Sequence, residues 1–276
     1  MESSSMSPLS DVLRRAAIVL VSALGSLVLT FCGAINVFPI NEDKDLGARF
    51  DREIRANPAE YPIRKDPGAR QYVQRIVDKI LTSPEVKYRG TFAYKCEVIQ
   101  NDKTINAFCT PGGYIYVYTG LLKLVDNEAT LAGVLGHEIA HAELRHSTKR
   151  MTTQLGLETA MAIALGNNTN RNIELAANMF GGLGLLKNSR DDETDSDEYS
   201  FKYLKSTSWY PGGILGFFDK VKGRSAGGTL ERLLSTHPLP DDRIKATQDR
   251  LKKANIPPPT EAQLNSRGYQ EFKRTL

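Results

Sequence analysis

The chain has 276 residues, 41% hydrophobic and 25% charged, the balance of a globular protein with a sizeable core, which excludes a disordered or low-complexity class. Its net charge of +4 is scattered without a long basic run, so it carries no nucleic-acid footprint.

The N-terminus departs from that average. Residues 1–15 are Ser-rich and end in Arg14–Arg15, and "AAIVLVSALGSLVLTFCGAINVF" (16–38) follows without a charge. Such a run spans a bilayer or serves as the apolar region of a signal peptide. The arginine pair keeps the N-terminus cytoplasmic and sends the rest outward. Residues 1–38 therefore read as a signal peptide or membrane anchor. Three fates stay open: lipidation of Cys32, where Phe31 replaces the small residue a lipoprotein signal wants; cleavage after a small residue such as Ala34; and retention as an uncleaved anchor.

Residues 39–67 are polar and proline-punctuated, a linker with a short helical piece around 44–55. Tyr72, Val73, Ile76, Val77, Ile80 and Leu81 recur at helical spacing and predict an amphipathic helix over 68–83. Strand-like runs follow at 91–99, 105–109 and 114–120, with "NDK" and "TPGG" as turns, and predict a small antiparallel sheet. Cys96 and Cys109 fall in neighbouring strand-like segments; two readings stay open, a pairing of the two in an oxidising compartment and two buried thiols.

After Gly120 the pattern is helical. A long helix is expected over 127–147, then two apolar stretches, 151–166 and 171–187, as a helical hairpin; both are too short to cross a membrane and carry Glu158 and Glu174. A helix over about 188–206 starts from Ser189, a good N-cap with acidic residues in the first turn. "YPGG" (210–213) restarts a helix through Val221, "STHPLP" (235–240) is a loop, and 241–254 is a further helix. Strands first and helices afterwards predict an α+β, mainly helical fold. The domain proper is placed at 68–256, with 257–276 as a C-terminal tail.

Three of the four histidines stand in "HEIAHAELRH" (137–146). On a helix, residues i and i+4 share one face, so His137 and His141 present two imidazoles to a single ion. Glu138, one residue along, reaches a water on that ion instead of the ion itself. Two nitrogens, one oxygen and an open position suit zinc, and the chemistry is metal-assisted peptide hydrolysis.

The third ligand is less direct. The HExxH-x-x-G-x-x-H arrangement needs glycine at position 144 and histidine at 147, where this chain has Leu144 and Ser147. His146 is one residue off that register and is expected to cap or hydrogen-bond near the helix end. In "SRDDETDSD" (189–197), Glu193 can complete the site and Asp197, one turn on, can orient His137. The same run also reads as a solvated helix start that complements the dipole. Asp192 and Glu198 are the next carboxylates in line.

HExxH, then Ser-Arg-x-x-Glu-x-x-x-Asp, then Thr-His-Pro, with "INAFCTPGGYIYVYTGLL" (105–122) ahead, resembles the zinc metallopeptidase family of HtpX and the CAAX prenyl endopeptidases. The likeness covers about 68–250 and is closest to the secreted, LoiP–BepA-like branch. It implies a gluzincin-type domain with one zinc per chain, held by His137, His141 and Glu193. It further implies Glu138 as general base, Asp197 as the carboxylate behind a ligand, and His237 near the metal in oxyanion stabilisation or gating. Arg190 and Arg243 read as scaffold ion pairs. Asn106, Ala107 and Phe108 resemble the edge strand on which such enzymes lay an extended polypeptide. A Cys96–Cys109 bridge would tie that edge to its neighbour. The implied activity is hydrolysis of unfolded or misassembled proteins of the bacterial cell envelope, on its periplasmic side, tethered by the N-terminal segment or secreted. The rival reading is a chaperone-like binder of extended chains with low or latent activity.

The sequence departs from the family pattern: it does not show the several spanning helices of HtpX, so intramembrane cleavage is not implied, and tetratricopeptide-type partner docking is not expected from it.

Overall fold

The computed structural model describes residues 35–164, 188–222, 230–238 and 241–276. Arg14–Arg15, the apolar run to residue 34, Cys32 and the expected second arm of the hairpin, 171–187, lie outside the described residues. Among the described residues no helix is long and apolar enough to cross a membrane.

Asn36–Leu276 form one compact unit. Helix α1 (Ile40–Ala56) covers the stretch expected to be a linker with a short helical piece, and it buries Asp43, Leu46, Phe50 and Ile54. Helix α2 (Pro67–Ile80) starts where Asp66 accepts from the Gly68 N–H and Pro67 presets the first helical φ. Its Val73, Ile76, Val77 and Ile80 pack into the main core.

The sheet is mixed where an antiparallel one was expected, although the α+β, mainly helical class stands. Strand β3 (Tyr114–Tyr118) lies in the centre, parallel to β1 (Lys95–Ile99) and antiparallel to β2 (Ala107–Cys109). Cys96 and Cys109 are both register partners of Ile115, one on each side of β3. Two strand spacings separate them by roughly 10 Å, beyond the reach of a disulfide, and both are free thiols. Of the two readings left open, the bridge is thus ruled out by strand order and the free thiols stand. Period-two alternation turns Cys96, Val98, Ala107, Ile115 and Val117 toward the main core. It turns Ile99, Phe108, Tyr116 and Tyr118 the other way, where Ile54 of α1 and Tyr61 join them.

After α3 (Thr119–Leu124), Asn127 caps α4 (Glu128–Glu143) through the Thr130 N–H. Every residue of α4 beyond Glu128 is buried, so this is the central helix and not a surface helix with one apolar stripe. It ends earlier than expected: Arg145 takes a left-handed φ of 57° and the chain turns into α5 (His146–Leu155). The Arg145 guanidinium bonds the buried Asp43 carboxylate and the Phe38 carbonyl, and Thr148 Oγ1 donates to Asp43 at 3.0 Å. Helix α1 is thereby fastened to the turn at the end of α4. Helix α6 (Leu157–Ala164) follows.

Helix α7 (Arg190–Lys205) opens with a complete capping box between Ser189 and Asp192. Helix α8 (Ile214–Val221) packs on α4, α9 (Glu231–Thr236) adds Leu233 to the main core, and α10 (Asp241–Lys253) packs on α7 and α8. A Cβ at Gly136 would lie 2.8 Å from Ser200 Oγ, and one at Gly133 would lie 2.3 Å from the Ile214 nitrogen. Glycine at these two places lets α7 and α8 rest on the backbone of α4, which sets the acidic face of α7 against the histidines. Two short helices, α11 (Glu261–Leu264) and α12 (Ser266–Lys273), end the chain; Phe272 stacks on Tyr72 at 3.7 Å between centroids.

Candidate metal centre

His137 and His141 stand one turn apart on α4, with Glu138 between them in sequence. Across the gap, α7 contributes Glu193 and the loop after α9 contributes His237. One ligand atom from each of His137, His141, Glu193 and His237 lies within 4.8 Å of all the others, so the four can hold a metal ion. The two Nε2 atoms of the α4 pair are 3.0 Å apart; Glu193 Oε2 is 3.4 Å from His137 Nε2, and its Oε1 is 3.3 Å from His141 Nε2. All four residues are buried, with Glu193 fully so.

The donor set passes a further test of fit. Each imidazole of the α4 pair already uses its Nδ1 elsewhere, which frees Nε2 for the centre. His137 Nδ1 donates to Asp197 Oδ1 at 2.8 Å. His141 Nδ1 lies 2.8 Å from His146 Nδ1, a pairing satisfied when His141 donates and a neutral His146 accepts. Burial pushes His146 down to about 4, so the neutral ring is its working form. His146, expected at the helix end, is in fact the partner of His141. The left-handed Arg145 turn brings it there.

Arg243 of α10 joins the carboxylates. It bonds Asp197 through Nε and Nη2, both at 2.7 Å, and Glu193 Oε2 through Nη1 at 2.5 Å. It is therefore part of the site's own charge network and more than a scaffold ion pair. Arg190 is an exposed first residue of α7. Asp192 serves the helix cap and Glu198 pairs with Lys202, so neither belongs to the cluster.

The charges are strongly coupled. Burial alone would raise Glu193, yet the His237 and His137 rings hold it well below the ordinary carboxylate range. Burial would lower His137, but Glu193 and Asp197 hold it at about 9. His141 is pushed below its usual value by burial. Burial also raises Glu138, against the opposing pull of His237 and His137. The Glu138 carboxylate sits 3.7 Å from His237 Nε2.

A cleft lies over the centre, lined by Glu138, His141 and His237 together with Asn106, Phe108, Cys109 and Thr110 of the sheet edge. Thr110 N bonds Tyr114 O and Tyr118 N bonds Asn106 O. The antiparallel ladder thus pairs Asn106, Phe108 and Thr110 with β3 and directs the backbone groups of Ala107 and Cys109 away from the sheet. Asn106 Oδ1 is buried without a hydrogen-bond partner. Ala107 lines a second, smaller cavity with His137, Leu121, Val134, Phe217 and Phe218. Sequence reasoning missed Asn188, which contacts Glu193 at 2.6 Å and His237 at 3.2 Å, and it missed Arg150, in the cleft wall. Neither sits in a spacing pattern that would mark it.

The family model described as peptidase family M48 matches residues 67–251. The chain is similar to a putative beta-barrel assembly-enhancing protease of Vibrio cholerae, 28% identical over 77% of this chain and 45% of the relative. It is similar to the beta-barrel assembly-enhancing protease of Escherichia coli, 24% identical over 95% of this chain and 56% of the relative. It is also 31% identical to the metalloprotease LoiP of Escherichia coli, over 56% of this chain and 62% of the relative. The chain spans about half the length of the first two.

Proposed function

The chain belongs to peptidase family M48, and from that premise we propose that it is a zinc-dependent endopeptidase that cuts extended, unfolded or misassembled polypeptides of the bacterial cell envelope. The observation that carries this reading is the buried convergence of His137, His141, Glu193 and His237 beside Glu138, under a sheet edge with outward-facing backbone groups. His137, His141 and Glu193 would hold the ion. When bound, zinc supplies a water of lowered pKa and polarises the scissile carbonyl.

The rest falls to the chain's own residues. The backbone of Ala107 and the Cys109 carbonyl hold an extended substrate by hydrogen bonds, the Cys109 N–H serving Glu138 instead, and Asn106 Oδ1 accepts from a substrate N–H. Glu138, as carboxylate, takes the proton of the attacking water and passes it to the leaving amine. His237 Nε2 faces the same space and donates to the developing oxyanion. Asp197 keeps the Nδ1 proton on His137 and so fixes the ring. Support for the envelope as the place of action comes from the charge-free run over 16–38 and from relatives named for β-barrel assembly. We take that run as a tether or a signal, with the domain facing the periplasm.

The test is metal content together with casein hydrolysis, for the chain and for Glu138→Gln. One zinc in each, with cleavage at least about 10²-fold weaker in the variant, is the expected result. No zinc in the wild type, or equal cleavage by both, would overturn the reading.

A second reading has its own observation. His237 Nδ1 is 2.9 Å from Glu193 Oε1 and belongs to the four-donor group. As a fourth ligand it would close the open position and keep the enzyme latent. Higher activity in His237→Ala than in the wild type would favour latency; lower activity favours the oxyanion role.

A further inference from the structure

We propose that Arg150 is a substrate-recognising residue of the cleft that selects for a carboxylate close to the scissile bond. This rests on the peptidase reading above. Arg150 lies on α5 and lines the cleft with Glu138, His141, Ser147 and Asn188.

The argument starts from what pairs with each arginine around the centre. Arg243 has Asp197 and Glu193, Arg145 has Asp43, and Arg232 has Glu60 at 2.7 Å. Arg150 has two neutral partners, Asn188 Oδ1 and, at 3.3 Å, Ser147 Oγ. Among the described residues its nearest carboxylate is Asp192, only at 4.0 Å. Asp192 Oδ2, the oxygen nearest Arg150, is committed to the cap of α7, where it accepts from the Ser189 N–H at 3.2 Å. Arg150 Nε is buried with no hydrogen-bond partner, in a side chain 18% exposed.

A guanidinium largely withdrawn from water, whose close partners are neutral and whose one paired carboxylate among the described residues stands off at 4.0 Å, has unspent capacity for an anion. Its planar fork matches a carboxylate. A substrate reaching Glu138 brings its neighbouring groups to this wall. The second cavity, lined by Leu121, Val134, Ile214, Phe217, Phe218 and Leu233, shares only Glu138 and His237 with the first. Apart from those shared residues and from His137 and Arg243, whose guanidinium is already paired with Asp197 and Glu193, that cavity is apolar, so substrate groups entering the two cavities meet different chemistry. The carboxylate comes either from an Asp or Glu side chain or from the free end of a polypeptide.

The test uses the zinc-loaded full chain and quenched fluorescent peptides built on one neutral sequence. In one arm Gln is replaced by Glu at successive positions on each side of the cut. In the other the C-terminus is free or amidated. The result expected is a kcat/KM ratio of acidic to neutral peptide of about 10- to 100-fold, in one arm and on one side of the cut. Arg150→Gln should bring that ratio to about one, with Arg150→Lys in between. The same ratio should appear in binding to Glu138→Gln, read by fluorescence anisotropy. Absence of any carboxylate preference in the wild type overturns the proposal, whether or not the variants fold. A preference that survives in Arg150→Gln overturns it too. Failure of the neutral parent peptide and of casein to be cut would instead count against the peptidase reading.

Discussion

Asp197 holds Arg243 by two bonds of 2.7 Å, one to each carboxylate oxygen, and its Oδ1 also accepts a hydrogen bond from His137 Nδ1–H at 2.8 Å. A single buried carboxylate thus sets the plane of a proposed metal ligand and neutralises the arginine behind it. Asp197→Asn keeps the shape and removes the charge. Zinc affinity should fall about 10- to 100-fold, measured by competition with a chromophoric chelator. Asp197→Ala, which takes two of the three carboxylate bonds from the buried Arg243 and leaves it Glu193 alone, should also cost about 3 kcal/mol in denaturant unfolding. Unchanged zinc affinity in both variants would mean that His137 needs no such support.

His146 makes the matching claim for the second imidazole. His146→Leu removes the acceptor for His141 Nδ1 and should weaken zinc binding by about tenfold or more. His146→Asn returns an oxygen near the place of Nδ1 and should recover much of the loss. Equal affinities in all three proteins would reduce His146 to packing.

Glu193→Ala removes the carboxylate that bridges both histidines and Arg243. The purified variant should hold much less than one zinc per chain by mass spectrometry, and Glu193→Gln should lie between it and the wild type. Full zinc content in Glu193→Ala would move the oxygen ligand elsewhere and leave His237 as the third donor of the group.

Asn106 tests the substrate edge. Its unpartnered Oδ1 is worth about 1–3 kcal/mol if it meets a substrate N–H. Asn106→Ala should therefore lower kcat/KM on a peptide by about 5- to 100-fold with zinc content intact. A variant as active as the wild type would remove Asn106 from the edge.

The α4 pair was legible because helical periodicity is local: His137 and His141 four residues apart define a face before any tertiary structure is known. Glu193 and Asp197 share a face of α7 for the same reason: the need for one oxygen ligand made them candidates in an acidic run that also reads as a solvated helix start, and the resemblance added its weight to the first reading. Sheet order was not legible, since alternation fixes which face a side chain takes and not which strand lies beside it. Cys96 and Cys109 looked adjacent because their segments are adjacent in sequence; β3 comes between them in space. The break at Arg145 escaped notice because a non-glycine residue at positive φ has no sequence signature. With it went the role of His146. Asn188 and Arg150 reach the site through folding alone, from segments far apart in the chain.

The outward-facing backbone of Ala107 and Cys109 has a kinetic meaning. Backbone donors and acceptors are the same in every polypeptide, so a sheet edge distinguishes proteins by availability. A segment paired inside its own native structure offers nothing to it until that structure opens. The cutting rate for a folded target should then be the rate for the open chain multiplied by the open fraction, as long as closing outpaces cleavage. Across point variants of one target cut at one place, each 1.4 kcal/mol of lost stability should speed cleavage about tenfold. On the proposed reading, the edge would work as a gauge of how often a neighbour comes undone.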